Sequence, residues 1–381
     1  MNGLEEVRTY FAPTKLVSGV GAIRQLPQEV EALGGGPVLC ITDPGLRKAG
    51  LVEVVEDVLR GHGLQVTTFD QVAPDPDVEV VHACEEVRQQ SETRVLVAIG
   101  GGSSMDTAKA VGILATNGGH ISDYEGREKN EHPPLPLVAI PTTVGTGSEV
   151  TRGVVVADHD RRVKFIIGSS TLAPRVAILD PDLVTSLPPR ITAATGMDAL
   201  THAIEGYVST WATPMTDAAT LHGMRLIGRH LRPAVANAAN KEAIGTMLAA
   251  STTVGLGFGN ARLGICHSLA HPVQAHAGSI HGETNGVLLP HVMAYNWVAA
   301  PDKFRAVNEA LGDDDSDPEK AVATVAKLRD DVGLPTTLRD LGVEESQLDQ
   351  IAAEAINDGY VQTNPRTVTV DTLRNLLQRA F

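Results

Sequence analysis

Two pairs of side chains, each four residues apart, carry the strongest chemical signal in this sequence. Asp198 and His202, in Gly196-Met197-Asp198-Ala199-Leu200-Thr201-His202, share one face if that segment is helical, and so do His267 and His271 in Cys266-His267-Ser268-Leu269-Ala270-His271. His276, His281-Gly282-Glu283 and His291 follow closely. A lone histidine on a helix is usually structural. Imidazoles and a carboxylate that recur in face-sharing pairs point instead to a divalent transition metal. Three imidazoles and one carboxylate suit Fe²⁺ or Zn²⁺, whereas Ca²⁺ and Mg²⁺ take all-oxygen cages. Spacing does not choose between iron and zinc, and it leaves four histidines competing for three ligand places.

A second signal lies in two glycine-rich loops. Val95-Leu96-Val97-Ala98-Ile99 runs directly into Gly100-Gly101-Gly102-Ser103-Ser104, followed by Met105-Asp106-Thr107-Ala108-Lys109. Glycines after a strand let the backbone approach an anion, and the helix that follows offers unpaired N–H groups and a positive dipole end. A plain strand-to-helix turn accounts for one glycine but not for three in a row. Met105 at the third glycine position excludes GxGxxG, and no Lys-Ser or Lys-Thr completes a Walker loop. The loop Pro141-Thr142-Thr143-Val144-Gly145-Thr146-Gly147-Ser148-Glu149 again follows an apolar run and offers hydroxyls to ribose and pyrophosphate oxygens. Two such loops at strand ends predict a dinucleotide site. Asp43, after the strand Val38 to Thr42, is placed to bind an adenosine ribose and to repel a 2′-phosphate, which favours NAD over NADP; a turn-forming Asp before Pro-Gly is the competing reading.

These loops and histidines need elements to carry them. From about Val38 to Asp180 short apolar runs alternate with helical patterns, as a parallel sheet with crossover helices requires. Strands are expected at Val38 to Thr42, Gln65 to Phe69, Val95 to Ile99, Leu137 to Ile140 and Val176 to Leu179. Helices are expected at Gly45 to Arg60, Val78 to Gln90 and Met105 to Ala115, with Asp77 and Ser104 as N-caps. Beyond Leu187-Pro188-Pro189 the strand signals stop, and helical spacing runs through Trp297 and again from Ala321. The expected division is therefore an α/β cofactor domain over residues 1–187 and an all-α domain over residues 188–381.

The composition restricts the partners. The 381 residues carry 31 Lys+Arg against 46 Asp+Glu, a formal charge of −15, with 43% hydrophobic and 3% aromatic residues. Such a chain can bury a core, and its acidity disfavours nucleic acid and anionic membrane surfaces. Cys40, Cys84 and Cys266 form no CxxC pair, which argues against a disulfide framework and for a reducing compartment. Met1 to Phe11, with Glu5 and Glu6, lacks a signal pattern, and no apolar run approaches the roughly 18 residues of a membrane span. The expectation is a cytoplasmic protein that acts on a small molecule.

Taken together, the motifs resemble those of the group III, iron-containing, NAD(P)-dependent alcohol dehydrogenases over essentially the whole chain. The carriers are Gly100-Gly101-Gly102-Ser103 with Asp106 and Lys109, the Pro141 to Glu149 loop, Thr195-Gly196-Met197-Asp198-Ala199-Leu200-Thr201-His202-Ala203-Ile204-Glu205, and His281 with Leu288-Leu289-Pro290-His291-Val292. The resemblance implies the dehydroquinate synthase-like fold: an N-terminal α/β dinucleotide domain and a C-terminal helical metal domain. It implies Asp198, His202, His267 and His281 as metal ligands, NAD as cofactor with NADP as the alternative, Fe²⁺ with Zn²⁺ as the alternative, and association into a homo-oligomer. The cofactor-binding candidates are Asp43, Gly101, Gly102, Ser103, Asp106, Thr142, Thr143, Ser148 and Lys164. His267 and His271 are the catalytic candidates, His271 as the relay for a proton between a buried alkoxide and solvent.

The implied activity is hydride transfer between NAD(H) and a small alcohol or aldehyde. This sequence departs from the family pattern at Pro74-Asp75-Pro76, where relatives commonly carry Asn-Pro, and at His276, where many carry an aromatic residue. His276 is accordingly expected to line a more polar substrate pocket, and His291, read as lying at a helix start, to be structural. Glu283-Thr284 resembles maleylacetate reductases, the alternative function, yet those enzymes often lack the metal ligands that are all present here. A dehydroquinate synthase-like lyase would need a basic cluster for a polyanionic substrate. From Ile191 to Ala300 there are only Arg225, Arg229, Arg232, Lys241 and Arg262.

Overall fold

The computed structural model describes residues 7–161, 163–185, 187–313, 315 and 317–381; Glu5 and Glu6 lie outside them. Its strands are β1 (Lys15–Ser18), β2 (Val38–Ile41), β3 (Val66–Phe69), β4 (Val95–Gly100), β5 (Gly126–Arg127), β6 (Leu137–Pro141), β7 (Gly153–Asp158), β8 (Val163–Gly168) and β9 (Val176–Leu179). Helices of the α/β part are α1 (Leu26–Ala32), α2 (Pro44–Lys48), α3 (Leu51–Arg60), α4 (Val78–Gln90) and α5 (Gly102–Asn117). The helical part contains α6 (Pro189–Val208), α7 (Pro214–Ala236), α8 (Lys241–Ala261), α9 (Ile265–Ala277), α10 (His281–Asn296), α11 (Pro301–Ala310), α12 (Lys320–Asp331), α13 (Leu348–Ala355) and α14 (Val370–Ala380).

Six strands form one parallel sheet in the order β1-β9-β6-β4-β2-β3. Every residue of β2, β4, β6 and β9 is buried, because helices cover both faces. Val38, Cys40, Val95, Val97 and Ile99 pack with Leu26 and Val30 of α1 and Val52, Val55 and Leu59 of α3. The alternate residues Leu39, Ile41, Leu96 and Ala98 pack with Val81 of α4 and Met105 and Ala108 of α5. The expected parallel α/β sheet is present, and the strand order reverses between β2 and β4, where such sheets bind ligands beyond the strand C-termini.

Several expectations change. The helix expected over Gly45 to Arg60 is two helices, interrupted at Gly50, whose φ of 76° ends one turn and starts the next. Asp77 caps α4, its Oδ1 accepting from Val80 N at 2.8 Å, but Ser104 is inside α5, whose N-cap is Gly101. Strand β1 escaped notice because its four residues are mostly exposed and give no apolar run. Strands β5, β8 and β7 form a separate three-stranded sheet, off the alternating β-and-α rhythm. His291 lies within α10, which continues through Pro290, and not at a helix start.

The chain clusters into two compact units. Among the described residues, one contains 11–143 and 147–185; the other contains 187–381 with 144–146 and 7–10. From Pro189 onward the described residues contain helices and no strand, as expected, with α11 an addition between Trp297 and Ala321. Among the described residues, no helix is long and apolar enough to cross a membrane.

Candidate functional site

In the helical unit, α6 is buried around almost its whole circumference from Thr192 to Val208, the environment of a central helix. Asp198, His202 and Glu205 follow one another at spacings of four and three and so share a face. Helix α10 approaches this helix closely: a Cβ on Gly282 would lie 2.1 Å from the Ala194 carbonyl oxygen, so no larger residue fits beside His281. Helix α9 supplies His267. Its first turn has no side-chain cap of its own. Glu205 takes that role from α6, accepting from Cys266 N at 2.6 Å and from His267 N at 3.4 Å. The same carboxylate holds His267 Nδ1 at 2.6 Å and turns Nε2 inward.

Donor atoms of Asp198, His267 and His281 converge within 4.8 Å of one another. Asp198 Oδ1 lies 3.7 Å from His267 Nε2 and 3.6 Å from His281 Nε2. Ligand atoms about 2.1 Å from one tetrahedral ion lie about 3.4 Å apart, so these separations match a metal's first shell. His202 lies beside this group. Its Nδ1 is buried without a hydrogen-bond partner, 3.8 Å from Asp198 Oδ2, while its ring stacks on Phe258 at 4.2 Å and on His267 at 4.6 Å. A buried imidazole nitrogen with no partner is costly unless an ion engages it. The donors fit a divalent metal.

Electrostatics agree. Burial disfavours the charged form of Asp198, but His202, His281 and His267 outweigh it and hold the carboxyl well below the usual range. Burial depresses His202 to about 4 and His281 to about 3, so both present neutral imidazoles at pH 7. Burial also opposes charge on His267, yet hydrogen bonds to Asp198 and Glu205 push it up to about 9; an incoming cation displaces that proton.

His271, one turn beyond His267, is bound through Nδ1 to Asp358 Oδ2 at 2.8 Å, and its ring lies 5.9 Å from that of His281. Asp358 is itself fixed by Ser268 Oγ at 3.3 Å and Tyr360 N at 2.8 Å. His276 bonds Glu354 through Nε2 at 3.1 Å. Glu283 is buried and receives Arg190 in a two-pronged contact at 2.5 and 3.0 Å, which ties the starts of α6 and α10 together. The Arg262 guanidinium lies 3.6 Å over the Trp211 ring.

In the α/β unit, the ends of β2, β4 and β6 lie side by side and carry Asp43, Gly100 to Ser103, and Thr142 with Thr143. Gly100 has φ 151°, and a Cβ there would lie 2.4 Å from Ser104 Oγ; a Cβ on Gly101 would meet Thr143 Cγ2 at 3.2 Å. The hydroxyls of Thr42 and Thr143 are buried without hydrogen-bond partners. A side-chain-free cradle with two orphaned hydroxyls, before the N-terminus of a 16-residue helix, fits a dinucleotide pyrophosphate and ribose. Asp43 Oδ1 also caps α2, accepting from Leu46 N at 3.0 Å.

The cofactor candidates Asp106 and Ser148 bond each other. Asp106 accepts from Ser148 Oγ at 3.1 Å and Val155 N at 3.0 Å. Lys109, fully buried, donates to Ser148 Oγ at 2.8 Å and Gly153 O at 3.2 Å, with Asp106 Oδ1 at 3.8 Å. Burial raises the Asp106 carboxyl and lowers the Lys109 ammonium, each opposed by the other's charge. The pair braces Ser148 against α5. Lys164 pairs with Asp75 at 2.9 Å, and Asp75 N donates to Ser103 Oγ at 3.3 Å.

Sequence reasoning overlooked Glu205, Gln274, Asn285 and Asp358. Glu205 could have been found, since it lies seven residues beyond Asp198 on one helical face. Gln274 Oε1 meets His281 Nδ1 at 3.2 Å, and Asp358 is 87 residues from His271; such pairings exist only in the folded chain.

Residues 13–181 match the model of the iron-containing alcohol dehydrogenases, and residues 192–381 match that of the C-terminal part of the Fe-containing alcohol dehydrogenase family. The NAD-dependent methanol dehydrogenase of Bacillus methanolicus is 40% identical, over 98% of this chain and 99% of the relative. The 1,3-propanediol dehydrogenase of Klebsiella pneumoniae is 40% identical, over 98% of each. A crystal structure of a 1,3-propanediol oxidoreductase superposes with a TM-score of 0.96 at 40% identity, covering 99% of this chain and 100% of that one.

Proposed function

This chain belongs to the iron-containing alcohol dehydrogenase family, and we propose that it transfers a hydride reversibly between NAD(H) and a small alcohol or aldehyde at an ion held by Asp198, His202, His267 and His281. It is an oxidoreductase of CH–OH groups that uses NAD and iron. The observation that carries the site assignment is the convergence of the Asp198, His267 and His281 donor atoms within 4.8 Å, beside the unpartnered His202 Nδ1. When bound, such an ion supplies Lewis acidity toward the substrate oxygen and NAD supplies the hydride acceptor.

The chain's own residues do the remainder. Asp198 contributes the negative charge, and Glu205 and Gln274 orient the imidazoles of His267 and His281 from their Nδ1 sides. Asp358 holds the His271 Nδ1 proton, which leaves His271 Nε2 to take and return the substrate's proton. Gly101, Gly102 and Ser103 receive the pyrophosphate at the start of α5, with Thr142 and Thr143 beside them, while Asp106 and Ser148 form the brace that holds the second loop. Lys164 reaches this region through Asp75 and Ser103. Asp43 favours NAD by its charge.

A neutral or singly charged substrate is supported by the placement of Arg262 over Trp211, which commits the guanidinium closest in sequence to His267. Three buried free thiols support a cytoplasmic setting. The test is NADH oxidation across an aldehyde panel with Fe²⁺, with Zn²⁺ and after chelation. Turnover restored by a divalent ion is expected; turnover that survives complete metal removal overturns the site assignment.

A further inference from the structure

Asn285 lies one turn beyond His281 on α10 and is fully buried. Its Nδ2 donates to Asp198 Oδ1 at 2.8 Å and lies 3.2 Å from His267 Nε2 and 3.2 Å from His281 Nε2. Its Oδ1 and backbone carbonyl oxygen each face Cys266 Sγ at 3.7 Å. The three neighbours of the amide nitrogen come from α6, α9 and α10, and each contributes the atom that faces the metal position. Glu205 and Gln274 act on the far side of their rings, at Nδ1. Asn285 acts on the donor atoms themselves.

A buried primary amide is expensive unless its protons are engaged. Here one amide nitrogen lies within hydrogen-bond distance of three atoms from three helices, so the three groups are oriented toward the same small region. That is the orientation a shared ion requires, achieved by a neutral group that adds no charge to compete with the cation. The neighbouring positions Val287, Leu288 and Leu289 on the same helix are apolar and equally buried, so burial alone does not call for an amide at 285.

We propose that Asn285 is the positioning residue of the metal centre, gathering the donor atoms of Asp198, His267 and His281 from three helices into the geometry that binds the ion. The inference rests on the metal-centre reading given above. It assigns Asn285 to metal affinity and leaves substrate and cofactor contacts to other residues.

The test uses full-length wild type, Asn285→Ala and Asn285→Asp, stripped of metal and titrated with Zn²⁺ and, anaerobically, Fe²⁺ against a competing chelator. Melting temperatures are recorded with and without the ion. Asn285→Ala is expected to weaken metal affinity by about 10- to 100-fold and to shrink the metal-induced rise in Tm. Asn285→Asp, nearly the same shape, sets a second carboxylate beside Asp198, so it should lower the Tm of the metal-free protein and enlarge the rise on loading. A merely structural amide predicts equal losses of Tm with and without metal in both variants and an unchanged affinity; that result overturns the proposal. If Asn285→Ala does not fold, Asn285→Asp decides alone, because a larger metal-induced rise in Tm cannot come from packing. Wild type that binds neither ion would overturn the metal-centre reading itself, and would do so before any variant is made.

Discussion

In the helical unit the proposed reactive atoms belong to side chains, and each is held by another side chain: His267 by Glu205, His281 by Gln274, His271 by Asp358. In the α/β unit the groups proposed to receive the cofactor are backbone N–H groups and hydroxyls at strand ends, and the charged pair Asp106 and Lys109 braces Ser148 underneath. The two regions therefore fail differently. A metal centre built from side chains is sensitive to which functional group occupies each position. A cofactor loop built from backbone is sensitive to added atoms, because a side chain takes the space the ligand needs.

Asp198→Ala should give the largest effect: loss of bound metal and a fall in kcat/KM of at least about 10³-fold, ~4 kcal/mol of transition-state stabilisation. Metal analysis beside NADH kinetics checks it. Full metal content in this variant would break the distinction between the regions. Lys109→Met comes next, leaving the Asp106 charge buried and unpaired at a cost of about 3 kcal/mol in unfolding free energy. Denaturant melts should show that loss with metal content unchanged, and adding Asp106→Asn should recover part of it. Loss of metal in Lys109→Met would mean that the brace serves both regions.

Gly100→Ala is the matching test of crowding. A methyl 2.4 Å from Ser104 Oγ, at φ 151°, must displace the start of α5. The KM for NAD should rise by about tenfold, ~1.4 kcal/mol, while metal affinity holds. The smallest effect is expected from Asp43→Gly. Glycine keeps most of the capping preference, so the change isolates the charge, and the preference for NAD over NADP should narrow by about fivefold. An unchanged ratio of the two kcat/KM values would leave Asp43 only its cap on Leu46 N.

The sequence carried these regions to different depths. Strands β2, β4, β6 and β9 were legible because burial on both faces makes them unbroken apolar runs, and the α4 boundaries were readable because Asp77 is a strong cap. Edge strand β1 was not, because it is mostly exposed, and the hairpin of β7 and β8 was not, since it falls outside the strand–helix rhythm. Residues at helical spacing, such as Asp198 with His202, announced themselves. Partners drawn from distant segments, such as Asp358 for His271, left no periodic trace. The Glu283-Thr284 pair, which on sequence suggested a different reductase, holds Arg190 and Ser279 in the structure.

Glu205 has a further consequence, for the order in which the protein assembles. The carboxylate that closes the open start of α9 is the one that turns His267, so the first turn of that helix and the direction of its imidazole are completed by one contact with α6. Neither contact of this carboxylate exists while the two helices are apart. An ion entering the proposed centre would therefore meet an imidazole that helix docking has already aimed, and refolding of α9 should proceed at the same rate whether or not the ion is in solution.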